Sequence, residues 1–158
     1  MQKQSIITIL ALLFLLGIAT SAYLLKLHYS PGQSSFCNIS PSLNCDAVNQ
    51  SKYSLFPPII GIPVAFLGLL NFLILLLAVL LLQRGKTFFI FKEKIDMLVL
   101  TEFLYYALFS NLFFALYLIY IEAFILNTFC ILCLLLDAII IISLMLAYKL
   151  RKSLISHS

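Results

Sequence analysis

The sequence has no tryptophan and only two histidines, and charged residues make up just 10% of its 158 positions. The shortage of charge excludes an ordinary soluble domain, because 63% of the residues are hydrophobic and the mean hydropathy is +1.12, far above the balance that water tolerates. Such a chain needs lipid as its solvent. A formal net charge of +4, spread over a few segment ends, excludes nucleic acid as a partner, since no basic stripe is present to meet phosphates. Without tryptophan an interfacial belt must be made of tyrosine, and Tyr23, Tyr29, Tyr53, Tyr120 and Tyr148 stand near the ends of apolar runs, where amphipathic rings settle at a membrane surface. Polar residues inside those runs are also scarce. Asn71, Ser110, Asn111 and Asp137 are too few to line an ion or solute path. There is no internal repeat, and no low-complexity tract beyond the apolar runs.

What is present is four long apolar segments, each reaching the ~20 residues that cross a hydrocarbon core. Ser5 to Leu25 and Tyr53 to Gln83 carry no charge, Met97 to Tyr120 is interrupted by Glu102, and Phe124 to Tyr148 by Asp137. Pro57, Pro58 and Pro63 cluster at the head of the second segment, and a helix tolerates proline only where its first amides lack partners, so that helix is placed from Ile59. The fold class is all-α: an integral membrane four-helix bundle with helices over 5–25, 59–82, 97–120 and 127–149, and a long extracytoplasmic loop over 26–58. Residues 1–158 are expected to form one membrane domain. Pro31-Gly32, Ser34-Ser35 and Ser40-Pro41-Ser42 supply turns in the loop, and Glu102 and Glu122 read as snorkelling or interfacial acids. Lys3, Arg84, Lys86, Lys92, Lys94, Lys149, Arg151 and Lys152 fall on one side of this topology, against Lys26 and Lys52 on the other. Positive residues are retained inside, which predicts a multi-pass protein of the plasma (inner) membrane with both termini cytoplasmic. A cleaved leader ending near Thr20-Ser21-Ala22 is the competing reading of the first segment, but the run is long enough to span.

All four cysteines then fall on the outer side. Cys37 and Cys45 lie in the long loop, and Cys130 and Cys133 form a CxxC at the head of the fourth helix. An even count in an oxidising compartment reads as two disulfides or one exchanging set. A CxxC at a helix start has the chemistry for exchange: with Asn127 or Thr128 as cap, Cys130 lies in the first turn, where free amides and the dipole favour a thiolate. Cys133 sits one turn deeper, toward a lipid-soluble reactant, and the loop is flexible enough to carry its pair to Cys130. A structural zinc is the alternative, although the loop spacing is loose and only His28 is near. A scaffold braced by inert disulfides is the other alternative, but it leaves a reducible CxxC unexplained.

Cys37, Cys45-Asp46, Val48, Ser51, Tyr53, Gly61-Ile62-Pro63, Gly68 and the Cys130–Cys133 motif, in this order and spacing, resemble the vitamin K epoxide reductase family in its bacterial-type, single-domain form. The resemblance spans nearly the whole chain. It implies a bundle around a quinone, ubiquinone or menaquinone, with Cys130 and Cys133 as the active pair and Cys37 and Cys45 as the shuttle pair. Cys133 would react with the quinone, Cys130 would exchange with Cys45, Cys37 would meet a reduced partner, and Ser51 would support the site. Disulfide formation in exported proteins would be the outcome. Many bacterial relatives carry a fused thioredoxin-like domain that is not seen here, so the partner is expected to be a separate thioredoxin-like protein. The quinone-linked DsbB family also uses two cysteine pairs, but in the reverse chain order.

Asp137 stands where animal enzymes carry a tyrosine that contacts the naphthoquinone, a departure that bears on epoxide reduction and not on quinone reduction. With Phe129 it is a candidate quinone-binding residue. An acid inside a membrane helix faces a cavity or a partner, and Asp137 is seven residues past Cys130. That spacing is two turns, which would put it on the same face and roughly 10 Å deeper, placed to relay a proton. Asn38-Ile39-Ser40 and Asn49-Gln50-Ser51 satisfy the glycosylation sequon, but glycans there would obstruct a partner, and the match reads as coincidence.

Overall fold

The computed structural model describes residues 2–30, 37–40, 42–57, 61–84, 88–90, 93–95 and 97–155. Four helices are long and apolar enough to cross a membrane: α1 (Gln2–Tyr29), α3 (Val64–Arg84), α4 (Met97–Tyr120) and α5 (Ile131–Ile155). Between α1 and α3 lie a short hairpin of β1 (Asn38–Ser40) and β2 (Leu43–Asn44), the helix α2 (Cys45–Asn49) and a 3-10 turn over Lys52–Ser54. A second hairpin, β3 (Phe88–Ile90) with β4 (Glu93–Ile95), joins α3 to α4 at the other end of the bundle. The expected turns at Pro31-Gly32, Ser34-Ser35 and Pro41, the start at Ile59, and Lys86 and Lys92 lie outside the described residues.

In lipid there is no hydrophobic drive between helices, so close packing and satisfied backbone must hold them. Helix α1 packs chiefly on α3 and also on α5, and α4 packs on α5, while α3 and α4 touch much less. The α1–α3 contact depends on Gly17, where a Cβ would come within 2.8 Å of the Phe72 ring. Around this contact Leu10, Phe14, Leu75, Val79, Leu104, Leu108 and Leu150 form the main core. Leu12, Leu77, Phe113 and Met145 point outward, fully in keeping with a lipid surround. Hydroxyls in the helices turn back on their own backbone, Thr20 to the Leu16 carbonyl at 2.9 Å and Thr101 to that of Met97 at 2.8 Å.

The spans fall where the apolar runs predict, but their boundaries move, and α5 runs on past 149 to Ile155. Helix α1 continues past Leu25 to Tyr29. Helix α3 begins at Val64, because a closed turn precedes it: the Phe56 N–H donates to the Ile62 carbonyl at 2.8 Å and Gly61 takes a φ of +72°, which only glycine adopts freely. Pro63 then supplies the carbonyl for the first helical amides, those of Phe66 and Leu67. Helix α5 begins at Ile131 rather than 127, because α4 runs on into a π-turn over Ile121–Leu126 that ends on Asn127 at φ 51°. Asparagine is among the few residues that tolerate this left-handed conformation. Glu102 is part-exposed and pairs with Arg151 at 2.6 Å, as an interfacial acid can, whereas Glu122 is buried and not at an interface.

Candidate functional site

The loop between α1 and α3 is docked against the bundle and not free to roam. The Asn49 side chain donates to the Leu24 carbonyl at 2.7 Å, the Gln50 side chain to the His28 carbonyl at 2.8 Å, and His28 Nδ1 lies 2.8 Å from the Asn49 carbonyl. The Gln50 side chain thereby takes up carbonyls left open at the end of α1, those of Leu27 and His28. Because the Asn49 amide is buried and committed in this way, its sequon is blocked. On the other side β2 meets the approach to α5: the Asn44 N–H donates to the Phe129 carbonyl at 3.0 Å, and the Phe129 N–H to the Ser42 carbonyl at 2.9 Å. The main chain of Phe129 thus clasps the loop, and Phe129 is not among the residues lining the cavity described below.

This clasp brings three sulfurs together. Cys37 and Cys45 form a disulfide with Cα atoms 5.6 Å apart, and the sulfurs of Cys37, Cys45 and Cys130 all lie within 4.8 Å of one another. All three residues have no exposed surface, and with Leu24 they form a small second core. Three sulfurs so placed resemble a metal site, but two of them are bonded to each other and offer no thiolate.

Cys130 stands just before α5, not inside its first turn. Its carbonyl accepts the first helical bond, from Leu134 at 3.0 Å, and its Sγ accepts the Cys133 N–H at 3.2 Å. That is the position and the bond of an N-cap side chain, here made by sulfur. The Cys130 N–H in turn donates to Glu122 Oε2 at 3.0 Å. Since Cys130 precedes the helix, the seven-residue face shared with Asp137 does not exist. The pairing is Cys133 with Asp137, one turn apart, and both line a cavity of about 230 Å³.

That cavity lies between the sulfur cluster and the main core. Leu24, Phe72, Ala115, Leu136 and Ile140 give it apolar walls, and its polar groups are Ser21, Asn49, Ser51, Tyr53, Ser54, Asn71, Asn111, Glu122 and Asp137. Asn111 donates to Asn71 across α4 and α3 at 3.1 Å. The hydroxyls of Ser21 and Ser51 are buried and have no partner among the described residues, an arrangement that leaves two donors for a ligand. A cavity of about 150 Å³ already accepts benzene, so the ring of a quinone fits here, and Cys133 is the one cysteine on its wall.

The structure therefore gathers Cys37, Cys45 and Cys130 into one cluster, sets Cys133, Ser51 and Asp137 on one cavity, and leaves Phe129 off that cavity. Sequence reasoning missed Glu122, Asn71 and Asn111 as a constellation. The signal available for them was a single one: polar residues are costly in apolar runs.

A helical membrane bundle that brings two cysteine pairs together at one end, beside an apolar cavity, belongs to the class of membrane thiol–disulfide oxidoreductases. More specifically, the chain belongs to the vitamin K epoxide reductase family, whose model matches residues 8–148 and so takes in all four cysteines. No curated protein matches the chain.

Proposed function

We propose that this protein is a quinone-dependent thiol–disulfide oxidoreductase that oxidises a separate thioredoxin-like partner at the non-cytoplasmic face, and so supports disulfide formation in exported proteins. One observation carries the reading: the Cys130 sulfur lies within 4.8 Å of both sulfurs of the loop disulfide, while Cys133, three residues on, lines the cavity. Two electrons thus have a path from loop to cavity. A thiolate of the reduced partner attacks Cys37, and Cys45 leaves as a thiolate. The second partner thiol resolves that mixed disulfide, so the partner departs oxidised and Cys37 is free. Cys45 then attacks Cys130 of the Cys130–Cys133 disulfide and releases the Cys133 thiolate, after which Cys37 attacks Cys45, closes the loop bridge again and frees Cys130. The loop pair ends oxidised and the helix pair reduced, the arrangement described above.

Ubiquinone or menaquinone bound in the cavity supplies the two-electron sink, taking up two protons as well. Cys133 would face it, the Ser51 hydroxyl would be free to donate to it, and Asp137 would hand on a proton, since all three line the cavity. Orientation follows from charge. Lys3 opens α1, Arg84 closes α3, and Lys149, Arg151 and Lys152 lie in the last turns of α5, all at the end away from the cysteines, which the positive-inside rule makes cytoplasmic.

Purified protein given a reduced thioredoxin-like protein and either quinone tests the scheme, with each cysteine replaced in turn. Replacement of Cys37, Cys45, Cys130 or Cys133 abolishes turnover. Undiminished quinone reduction without Cys130 or Cys133 would sink it.

A further inference from the structure

Glu122 reads from the sequence as an interfacial acid, yet its carboxylate accepts the main-chain N–H of the exchanging cysteine. A helix start is commonly secured by two reciprocal bonds: the N-cap side chain takes the N–H of the third helical residue, and a Glu or Gln at that third position takes the N–H of the cap. In α5 the cap is Cys130 and the third residue is Cys133, so the CxxC spacing occupies both positions with sulfur. The first bond survives as Cys133 N–H to Cys130 Sγ. The second cannot come from Cys133, whose thiol does not reach back as a carboxylate does. Glu122 makes it instead, from the preceding helix, with Oε2 3.0 Å from the Cys130 nitrogen.

The chain between them is shaped for this contact. The π-turn lets the Glu122 carbonyl accept the N–H of Asn127, and that of Thr128 at 3.1 Å. Main chain and side chain of one residue thus anchor the whole descent from α4 to Cys130. Glu122 is 4% exposed, which shields the bond from bulk water.

We propose that Glu122 is the positioning residue for Cys130: it completes the cap that the two cysteines leave open, and so holds the Cys130 sulfur against the Cys37–Cys45 bridge. The inference rests on Cys130 exchanging with Cys45, and it is testable without a quinone. In a Cys133→Ala background the Cys130 thiolate attacks Cys45. The Cys130–Cys45 bond forms, the Cys37–Cys45 bond breaks, Cys37 takes the electron pair as a thiolate, and the Cys130 proton passes to buffer. Maleimide capping of Cys37 traps the product for counting.

Two variants separate the acceptor from the charge. Glu122→Gln keeps an oxygen at the same reach and loses the charge, and it retains the trapping rate to within about threefold. Glu122→Asp withdraws the oxygen by one methylene, and it slows trapping roughly 10-fold, the upper range for loss of an ordinary hydrogen bond. In the Cys133-containing protein Glu122→Asp lowers kcat with the thiol partner, and Glu122→Gln restores it. A Gln variant as slow as the Asp variant would overturn the proposal, as would an Asp variant as fast as the parent. Failure of the parent to reduce any quinone would instead overturn the reading in the preceding section and leave the trapping result standing.

Discussion

Asp137 and Cys133 share one face of α5 because they are one turn apart, and both line the same cavity. A carboxyl half-buried at that depth in a membrane helix is costly unless it serves a ligand or a proton path. Asp137→Asn is expected to slow quinone reduction about 100-fold, a usual contribution for a placed acid or base, and to leave Cys130–Cys45 trapping unchanged. Stopped-flow reduction followed across pH checks this, and a normal rate at every pH would remove Asp137 from the proton path. The cysteines were legible from sequence because thiol chemistry restricts where pairs are useful. Glu122 was not, because an acid near a helix end reads as interfacial until its partner, eight residues on and across a π-turn, is seen. The seven-residue link from Cys130 to Asp137 failed for a related reason: helical periodicity counts only within a helix, and Cys130 is its cap.

At the scale of elements the four spans were plain in the apolar runs, since lipid leaves a chain no other way to satisfy its backbone. Their ends were less plain. The head of α3 depends on the Leu55–Pro63 pairing and on the positive φ of Gly61, and the head of α5 on Asn127, none of which an apolar count reveals. The loop was expected to roam to Cys130, but pairing of Ser42 and Asn44 with the Phe129 backbone docks it there. Packing between spans was likewise hidden. Gly17→Ala is expected to destabilise the bundle by about 1–3 kcal/mol, the usual cost of overfilling a close contact, because the new methyl would press on the Phe72 ring. Thermal unfolding in detergent measures it. An unchanged midpoint would mean that α1 and α3 yield at that point.

For the whole molecule, the charge asymmetry makes a directional forecast. In intact cells a membrane-impermeant maleimide should label Ile39→Cys, whose side chain is 65% exposed at the cysteine end, and should label Ile155→Cys only after permeabilisation. The reverse pattern would invert the proposed topology. Whichever way the bundle stands, the three clustered sulfurs have no surface of their own. The Cys37–Cys45 bond is therefore insulated: a small thiol diffusing past has no sulfur to strike. A protein partner of the kind proposed would have to displace the hairpin before its thiol reached that bond, so burial itself sets the first condition on which reductants are used.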